Sequence, residues 1–392
     1  MSPSPSPSKR YYFDWAATAF PDFPGLNPAF PEDPGAEGIF GNPSSLHQEG
    51  RRAREYLEEA RSRCAGVLGV AEKDLYFTSG GTESNALALH SFLLRQGKGQ
   101  ILYSAAEHPS VRENCAVLER LGREIGIIPV GPDGRVSEES LARALEKYPS
   151  PRLAAIMGVN NETGSLNDIA ALSAVLRRRD RPVHIHCDLV QAAGKIPLRL
   201  GAWDIDSASL SAHKLGGPRG IGLLYLRRPL SPLYSGGGQE RGVRPGTENT
   251  AGALALARCL EDHVLPEKQE AAFKPAQDRF KRLIRGLGET GRCVLIPGDR
   301  CPEDPRFSPW ILQAAFSGIP GEVMVRALDQ AGFAVSTGSA CSSSEKERPV
   351  LAAMGLDRKR SLEGIRISQG WSTTDGEIDL LLEAIREVLR FL

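Results

Sequence analysis

From residue 74 to about residue 227 the chain alternates short apolar runs with helix-like segments, and few architectures accept that order. The runs are Leu75-Tyr76-Phe77, Ile101 to Ser104, Leu153 to Val159, Val183 to Cys187, Ser207 to Leu210 and Gly222 to Leu226. Glycines, prolines and hydroxyl residues punctuate them, as they do strands. Such alternation predicts an α/β fold, a mostly parallel sheet flanked by helices, with ligands at the strand ends. Near residue 250 the pattern changes to a long helical stretch, Thr250 through Leu265 and on past Pro266 to Leu287. Beyond it Trp310 to Phe316, Phe333 to Thr337 and Ile365 to Ser368 read as strands of a smaller α+β unit. In the closing helix Ile378, Leu381, Leu382, Ile385, Val388 and Leu389 share a face. At 392 residues the chain exceeds a single ordinary core, so two domains are expected.

Upstream, Met1 to Arg10 is a Ser-Pro stretch without an apolar run, expected to be a disordered tail and not a signal peptide. Residues 19 to 43 read as a proline- and glycine-rich loop, and Ser44 and Ser45 can cap the helix that follows. Along that helix Ala53, Tyr56, Leu57, Ala60, Cys64, Val67 and Leu68 recur at helical steps, which places Cys64 in the core. Charge is balanced, 48 basic against 48 acidic residues, so nothing predicts a nucleic acid or an anionic membrane as partner. No segment approaches the ~20 apolar residues of a membrane span. Seven thinly spread cysteines do not read as a disulfide framework or a zinc site, and suit a reducing cytoplasm.

Three motifs carry chemistry. Ser207 to Ser211 leads into Ala212-His213-Lys214 and then glycines, which puts a lysine at the mouth of a turn. An isolated lysine there reads as a solvated loop residue, but its amine also condenses with aldehydes, above all pyridoxal phosphate. His184 to Asp188 is a strand ending in a carboxylate, with Gln191 just beyond. Asp188 can cap a helix, or can face a pyridine nitrogen and keep it protonated. Phe77-Thr78-Ser79-Gly80-Gly81-Thr82-Glu83-Ser84 joins a strand to a helix through glycines and hydroxyls. That is a phosphate cradle, or an ordinary capped helix.

In this order the motifs resemble the class V aminotransferases of fold type I, and within them the cysteine desulfurases of the NifS/IscS kind. Further matches are Tyr12 to Thr18, Gly41-Asn42-Pro43-Ser44-Ser45, Glu107-His108, Val159 to Gly164, Gly236 to Gly242, Arg244 to Asn249, Gly338-Ser339-Ala340-Cys341 and Arg366-Ile367-Ser368. The resemblance implies a large pyridoxal-phosphate domain with a seven-stranded sheet over residues 21–261. It implies a small domain from 11–20 and 262–392, with residues 1–10 as the tail.

By the same resemblance Gly81, Thr82, Ser211 and His213 would hold the cofactor phosphate, and Thr247 would reach the phosphate of the other subunit of a homodimer. Lys214 would carry the cofactor. His108 would stack on the ring and shuttle protons, Asp188 would meet its nitrogen, and Gln191 would donate to its phenolic oxygen. Asn161 and Arg366 would clamp the substrate carboxylate, although a strand arginine can equally be structural. Cys341, in a small and polar run from Ser336 to Ser344, would take sulfur from L-cysteine as a persulfide and release L-alanine. The sulfur would pass to iron-sulfur scaffolds or to a tRNA-thiolation relay. Trp15 replaces the family's usual Asn, and Ala19-Phe20 its Thr-Pro, which would reshape the mouth of the cleft. The segment after Cys341 is shorter than its commonest form, which bears on partner choice. A selenocysteine lyase, a true transaminase of the same family and a catalytically idle binding protein remain open at this point.

Overall fold

The computed structural model describes residues 9–21, 40–94, 99–228, 230–338 and 348–392. Within the N-terminal stretch, Arg10 hydrogen-bonds and ion-pairs with Asp329. Strand β1 (Tyr11–Tyr12) runs parallel to Phe333–Ala334. Helix α1 (Gln48–Leu68) is not capped by Ser44 or Ser45 as expected. Asn42 draws both serines into a turn, its side chain accepting from Ser44 N and its carbonyl from Ser45 N, each at 2.9 Å. A short side chain that bonds its own backbone competes with the helix in this way, so the helix starts later, with Gly50 N donating to His47 Nδ1 at 3.3 Å. The buried face is the anticipated one, with Ala53, Ala60 and Cys64 fully covered.

The alternating region follows as β2 (Leu75–Thr78), α2 (Gly81–His90), β3 (Gln100–Ser104), α3 (Pro109–Arg120), β4 (Glu124–Ile128), α4 (Glu138–Lys147), β5 (Pro151–Ala155), α5 (Ile169–Arg177), β6 (His184–Asp188), β7 (Ser207–Ser211) and β8 (Gly222–Leu226). Among the described residues these strands form one seven-stranded sheet in the order β2-β8-β7-β6-β5-β3-β4, and β8 alone runs against the rest. Strand β4 was not expected. It lies at the sheet edge and leaves Glu124 and Ile127 exposed, so it lacks the apolar run of its buried neighbours. The run expected over Leu153 to Val159 ends as a strand at Ala155. Its backbone still bonds the next strand, from Ile156 N to His186 O and from Gly158 N to Asp188 O.

Helices α6 (Thr250–His263) and α7 (Pro266–Gly288) divide at Pro266, which sits in the first turn of α7, where its missing N–H costs nothing. Then come β9 (Cys293–Ile296), β10 (Ile311–Phe316), α8 (Gly321–Gln330), β11 (Phe333–Ala334), α9 (Pro349–Ala353), α10 (Arg358–Glu363), β12 (Gly364–Ser368) and α11 (Asp375–Phe391). Strands β12, β10 and β9 pair antiparallel in that order. The strand expected to reach Thr337 stops at Ala334, because Ser336 exchanges both backbone hydrogen bonds with Arg366. Phe13, Phe280, Leu283, Phe316, Met324, Ile365, Ile378 and Ile385 form the core of this half. Each such side chain contributes roughly 1.5–3 kcal/mol by leaving water. No described helix is long and apolar enough to cross a membrane.

Candidate active site

A cavity of about 480 Å³ opens where β3, β5, β6 and β7 end, within the range of small-molecule sites. Its lining includes Gly81, Thr82, His108, Asn161, Asp188, Gln191, Ser211, His213, Lys214 and Arg366. Ten sequence candidates spread over nearly 300 positions thus meet at one place. Thr247 is exposed and does not line the cavity of its own chain. Cys341 lies outside the described residues, although Gly338, which leads into it, lines the cavity.

Backbone chemistry builds one wall. Gly80 adopts φ 150°, ψ −177°, a conformation open essentially to glycine alone, and it has no side-chain cap to offer α2. A Cβ on Gly81 would stand 2.5 Å from Val190 Cγ2. The two glycines therefore bring the first turn of α2 against the sheet with its leading N–H groups uncapped, a site for an anion. Ser211 and His213 follow on β7 and on the turn after it. Burial, with Lys214 next, pulls the His213 pKa down to about 4, so its neutral ring can donate one hydrogen bond. Its Nδ1 lies 3.2 Å from Thr18 Oγ1.

The opposite groups are set by hydrogen bonds. Lys214 Nζ donates to Ala16 O at 2.8 Å and to Ala17 O at 2.7 Å. Asp188, at 4% exposure, accepts from Asn85 Nδ2 at 2.8 Å and from Val190 N at 3.0 Å. His108 caps α3, its Nδ1 accepting from Ser110 N at 3.1 Å, and it also lines the cavity. Burial lowers its pKa against the opposing pull of Asp188. Gln191 Nε2 donates to Ala16 O at 2.7 Å, while Lys195 Nζ donates to its Oε1 at 3.0 Å.

Arg366, at 2% exposure, is tied by Nη1 to Asn161 O and Gly338 O, each at 2.9 Å, and by Nη2 to Asp14 Oδ1 at 2.7 Å. Its Nε and Asn161 Oδ1 are buried with no partner among the described residues.

Three participants had no assigned role in the sequence reading. Glu107 lines the cavity, accepts from Met157 N at 2.6 Å, and is pushed up in pKa by burial and by Asp188, which favours its protonated form. Lys195 and Asn85 lie behind the cavity wall, and only their place after Gln191 and Ser84 hinted at them. The aromatic substitution proves structural. Trp15 packs edge-on to Trp371 at 5.9 Å and is not among the residues that line the cavity, although Ala16 and Ala17 beside it are. A Cβ on Gly370 would overlap its ring.

The pattern that defines the aminotransferase class-V family matches residues 34–381, and the chain belongs to that family. A NifS/IcsS protein homolog of Lactobacillus delbrueckii subsp. bulgaricus is 39% identical over 363 residues, 89% of this chain and 90% of that protein. The cysteine desulfurase IscS of Dictyoglomus turgidum is 35% identical over 393 residues, 97% of this chain and 95% of its own. A solved structure of a NifS-like protein superposes with a TM-score of 0.87 at 34% identity, covering 98% of this chain and all of that one.

Pyridoxal phosphate is the cofactor of this family and of this chain. The described residues fit it: an uncapped helix start beside two hydroxyls suits a phosphate, a buried carboxylate suits a ring nitrogen, and a lysine lies in the same cavity. Lys195 gives a first test of the wall. Burial pulls its amine down to about 7, with Lys214 and Arg366 adding repulsion. Lys195→Met removes the partner that orients Gln191, so the visible absorption band of the bound cofactor should shift in wavelength and in pH midpoint. An unchanged spectrophotometric titration would count against that orientation.

Proposed function

We propose that this chain is a pyridoxal-phosphate-dependent cysteine desulfurase that converts L-cysteine to L-alanine and keeps the sulfur on Cys341 as a persulfide. The observation that carries the reading is the meeting of Lys214, Asp188, His108 and Arg366 in one cavity that Gly338 also lines. The names of the relatives favour cysteine over selenocysteine.

The bound cofactor supplies an electron sink for negative charge at the substrate α-carbon. Lys214 would hold the cofactor covalently, and its amine would move the α-proton. Asp188 would keep the ring nitrogen protonated, and Gln191 would donate to the phenolic oxygen. Gly81, Thr82, Ser211 and His213 would bind the phosphate, and Thr247 would reach the partner's phosphate in a homodimer. Asn161 and Arg366 would hold the substrate carboxylate, for which Arg366 Nε, buried with no partner among the described residues, is the available contact. The Cys341 thiolate attacks the substrate sulfur and forms the S–S bond of the persulfide. The carbon–sulfur bond breaks with its electron pair left on carbon, which is protonated, and alanine leaves.

Among the described residues no other thiol lines the cavity, and burial pushes Cys64, Cys115 and Cys293 up to about 12. The persulfide sulfur would supply iron-sulfur cluster scaffolds or a tRNA-thiolation relay in the cytoplasm. The large domain would span 21–261 and the small one 11–20 and 262–392, and the packing of Phe13 among residues of α7, β10 and α11 supports that division.

The test is alanine formed from L-cysteine, with sulfide released by a thiol reductant, for wild type beside Cys341→Ser. Wild type is expected to make both and the variant neither. Equal alanine from the two would assign the chain to another activity of the family.

A further inference from the structure

Behind the cavity runs a buried hydrogen-bond chain that these roles leave unused. Asn85, on α2 and 0% exposed, fills every hydrogen-bonding position of its amide. Its Nδ2 donates to Asp188 Oδ2 and to Ser110 Oγ, each at 2.8 Å. Its Oδ1 accepts from Ser209 Oγ at 2.6 Å and faces His186 Nε2 at 2.8 Å. An ionised carboxylate only accepts, so the amide can sit one way round, with nitrogen toward Asp188.

The remaining protons follow. Burial pulls His186 down to about 3, so it is neutral; it donates from Nε2 to Asn85, and its Nδ1 accepts from Ser207 Oγ at 2.8 Å. Ser207 in turn accepts from His184 Nε2 at 2.8 Å. On the other side the Ser110 backbone N–H, 3.1 Å from His108 Nδ1, already requires that nitrogen to accept. The Ser110 hydroxyl, 2.8 Å from the same nitrogen, therefore donates to it while its oxygen accepts from Asn85. A ring nitrogen facing two donors carries no proton, which leaves the imidazole proton of His108 on Nε2.

We propose that Asn85 is a positioning residue that sets Asp188 and His108 as one unit and, through Ser110, keeps the His108 proton on Nε2. His108 then acts as a fixed Nε2–H donor beside the cofactor, because taking up a second proton at Nδ1 would cost it both bonds there. The orientation of the ring and of the carboxylate that meets its nitrogen is thereby decided from one amide. This inference rests on the assignment of Asp188 and His108 to the cofactor, and the test separates the two.

In the apoenzyme, nitrogen NMR of the His108 ring should show an unprotonated Nδ1 and a protonated Nε2 near neutral pH. In the holoenzyme, Asn85→Ala and Ser110→Ala should each lower kcat for alanine formation roughly 10- to 100-fold, the usual cost of losing a group that orients a reactive one. The KM for L-cysteine should change little. Ser110→Thr, which keeps the hydroxyl, should restore the loss, and this pair stands on its own if Asn85→Ala does not fold. A protonated Nδ1 in wild type, or equal kcat for Ser110→Ala and Ser110→Thr, overturns the proposal. If Asp188→Ala is inactive while Asn85→Ala turns over like wild type, the positioning role alone fails. If Asp188→Ala itself turns over like wild type, the underlying assignment fails as well.

Discussion

Lys214→Ala is expected to fold, to lack the visible absorbance of lysine-bound cofactor, and to form alanine from L-cysteine at least roughly 10⁴-fold more slowly than wild type. The residue closes the short turn Ala212–Lys214 directly after β7, and its amine is held between the carbonyls of Ala16 and Ala17, at 2.8 and 2.7 Å. Removing it deletes the nucleophile that holds the cofactor and the base that moves the α-proton, so two functions go at once. The rest of the cavity does not depend on it, since the start of α2, Ser211 and Asp188 have supports of their own. Added pyridoxal phosphate should therefore still bind without a covalent link, measurable by dialysis and absorbance. Lys214→Arg keeps the charge but not the nucleophile and should be equally slow. Retention of more than a few per cent of turnover in Lys214→Ala would remove this lysine from the chemistry.

The largest stability effect is expected at Glu240, which does not line the cavity. Arg61 and Glu240 form an ion pair at 2.7 Å with side chains 2% and 1% exposed, and Glu240 also accepts the backbone N–H of Phe77 at 2.7 Å. Arg61 donates in addition to Leu75 O at 2.9 Å. The pair pins α1 to strand β2, which leads into the cofactor cradle. Glu240 holds this place with φ 44°, beside Arg241 at φ 54°, in a left-handed conformation that non-glycine residues adopt at a cost. Glu240→Ala leaves the Arg61 charge buried with fewer partners and should cost about 3–5 kcal/mol. The apparent unfolding midpoint, followed at fixed cofactor concentration, should fall well below that of Asp379→Ala. Asp379 pairs with Arg282 on the surface, where both side chains are nearly half exposed and the pair contributes at most about 1 kcal/mol. Replacing both buried partners by apolar residues of similar volume should recover much of the loss. A shift in Glu240→Ala no larger than in Asp379→Ala would show that the pair carries no such weight.

The buried strands were legible because each is a compact apolar run between turn residues, and β8 coincides with its expected span. Strands β4 and β9 were not, because a run such as Glu124-Ile125-Gly126-Ile127-Ile128 shows neither strict alternation nor a continuous apolar block. The start of α1 was misplaced because Asn42 competes locally for the amides of both serines, a contest that composition does not decide. The site was legible as residue types. The glycines before α2, the carboxylate ending β6 and the lysine after β7 each follow from a local need of the chain and of the cofactor.

Sequence by itself determined the alternation of buried strands and helices, their order, and which motifs have the chemistry for a pyridoxal-phosphate site, because period and turn chemistry act over a few residues. Tertiary structure decided who meets whom. Lys214 rests on Ala16 across 198 positions, and Arg366 reaches Asp14 across 352. Asn85, which reads in sequence as one more helical residue, proves to join Asp188 to Ser110. Those bonds are set by how the sheet and its helices pack, and a buried amide finds its partners only when packing has removed water as the alternative.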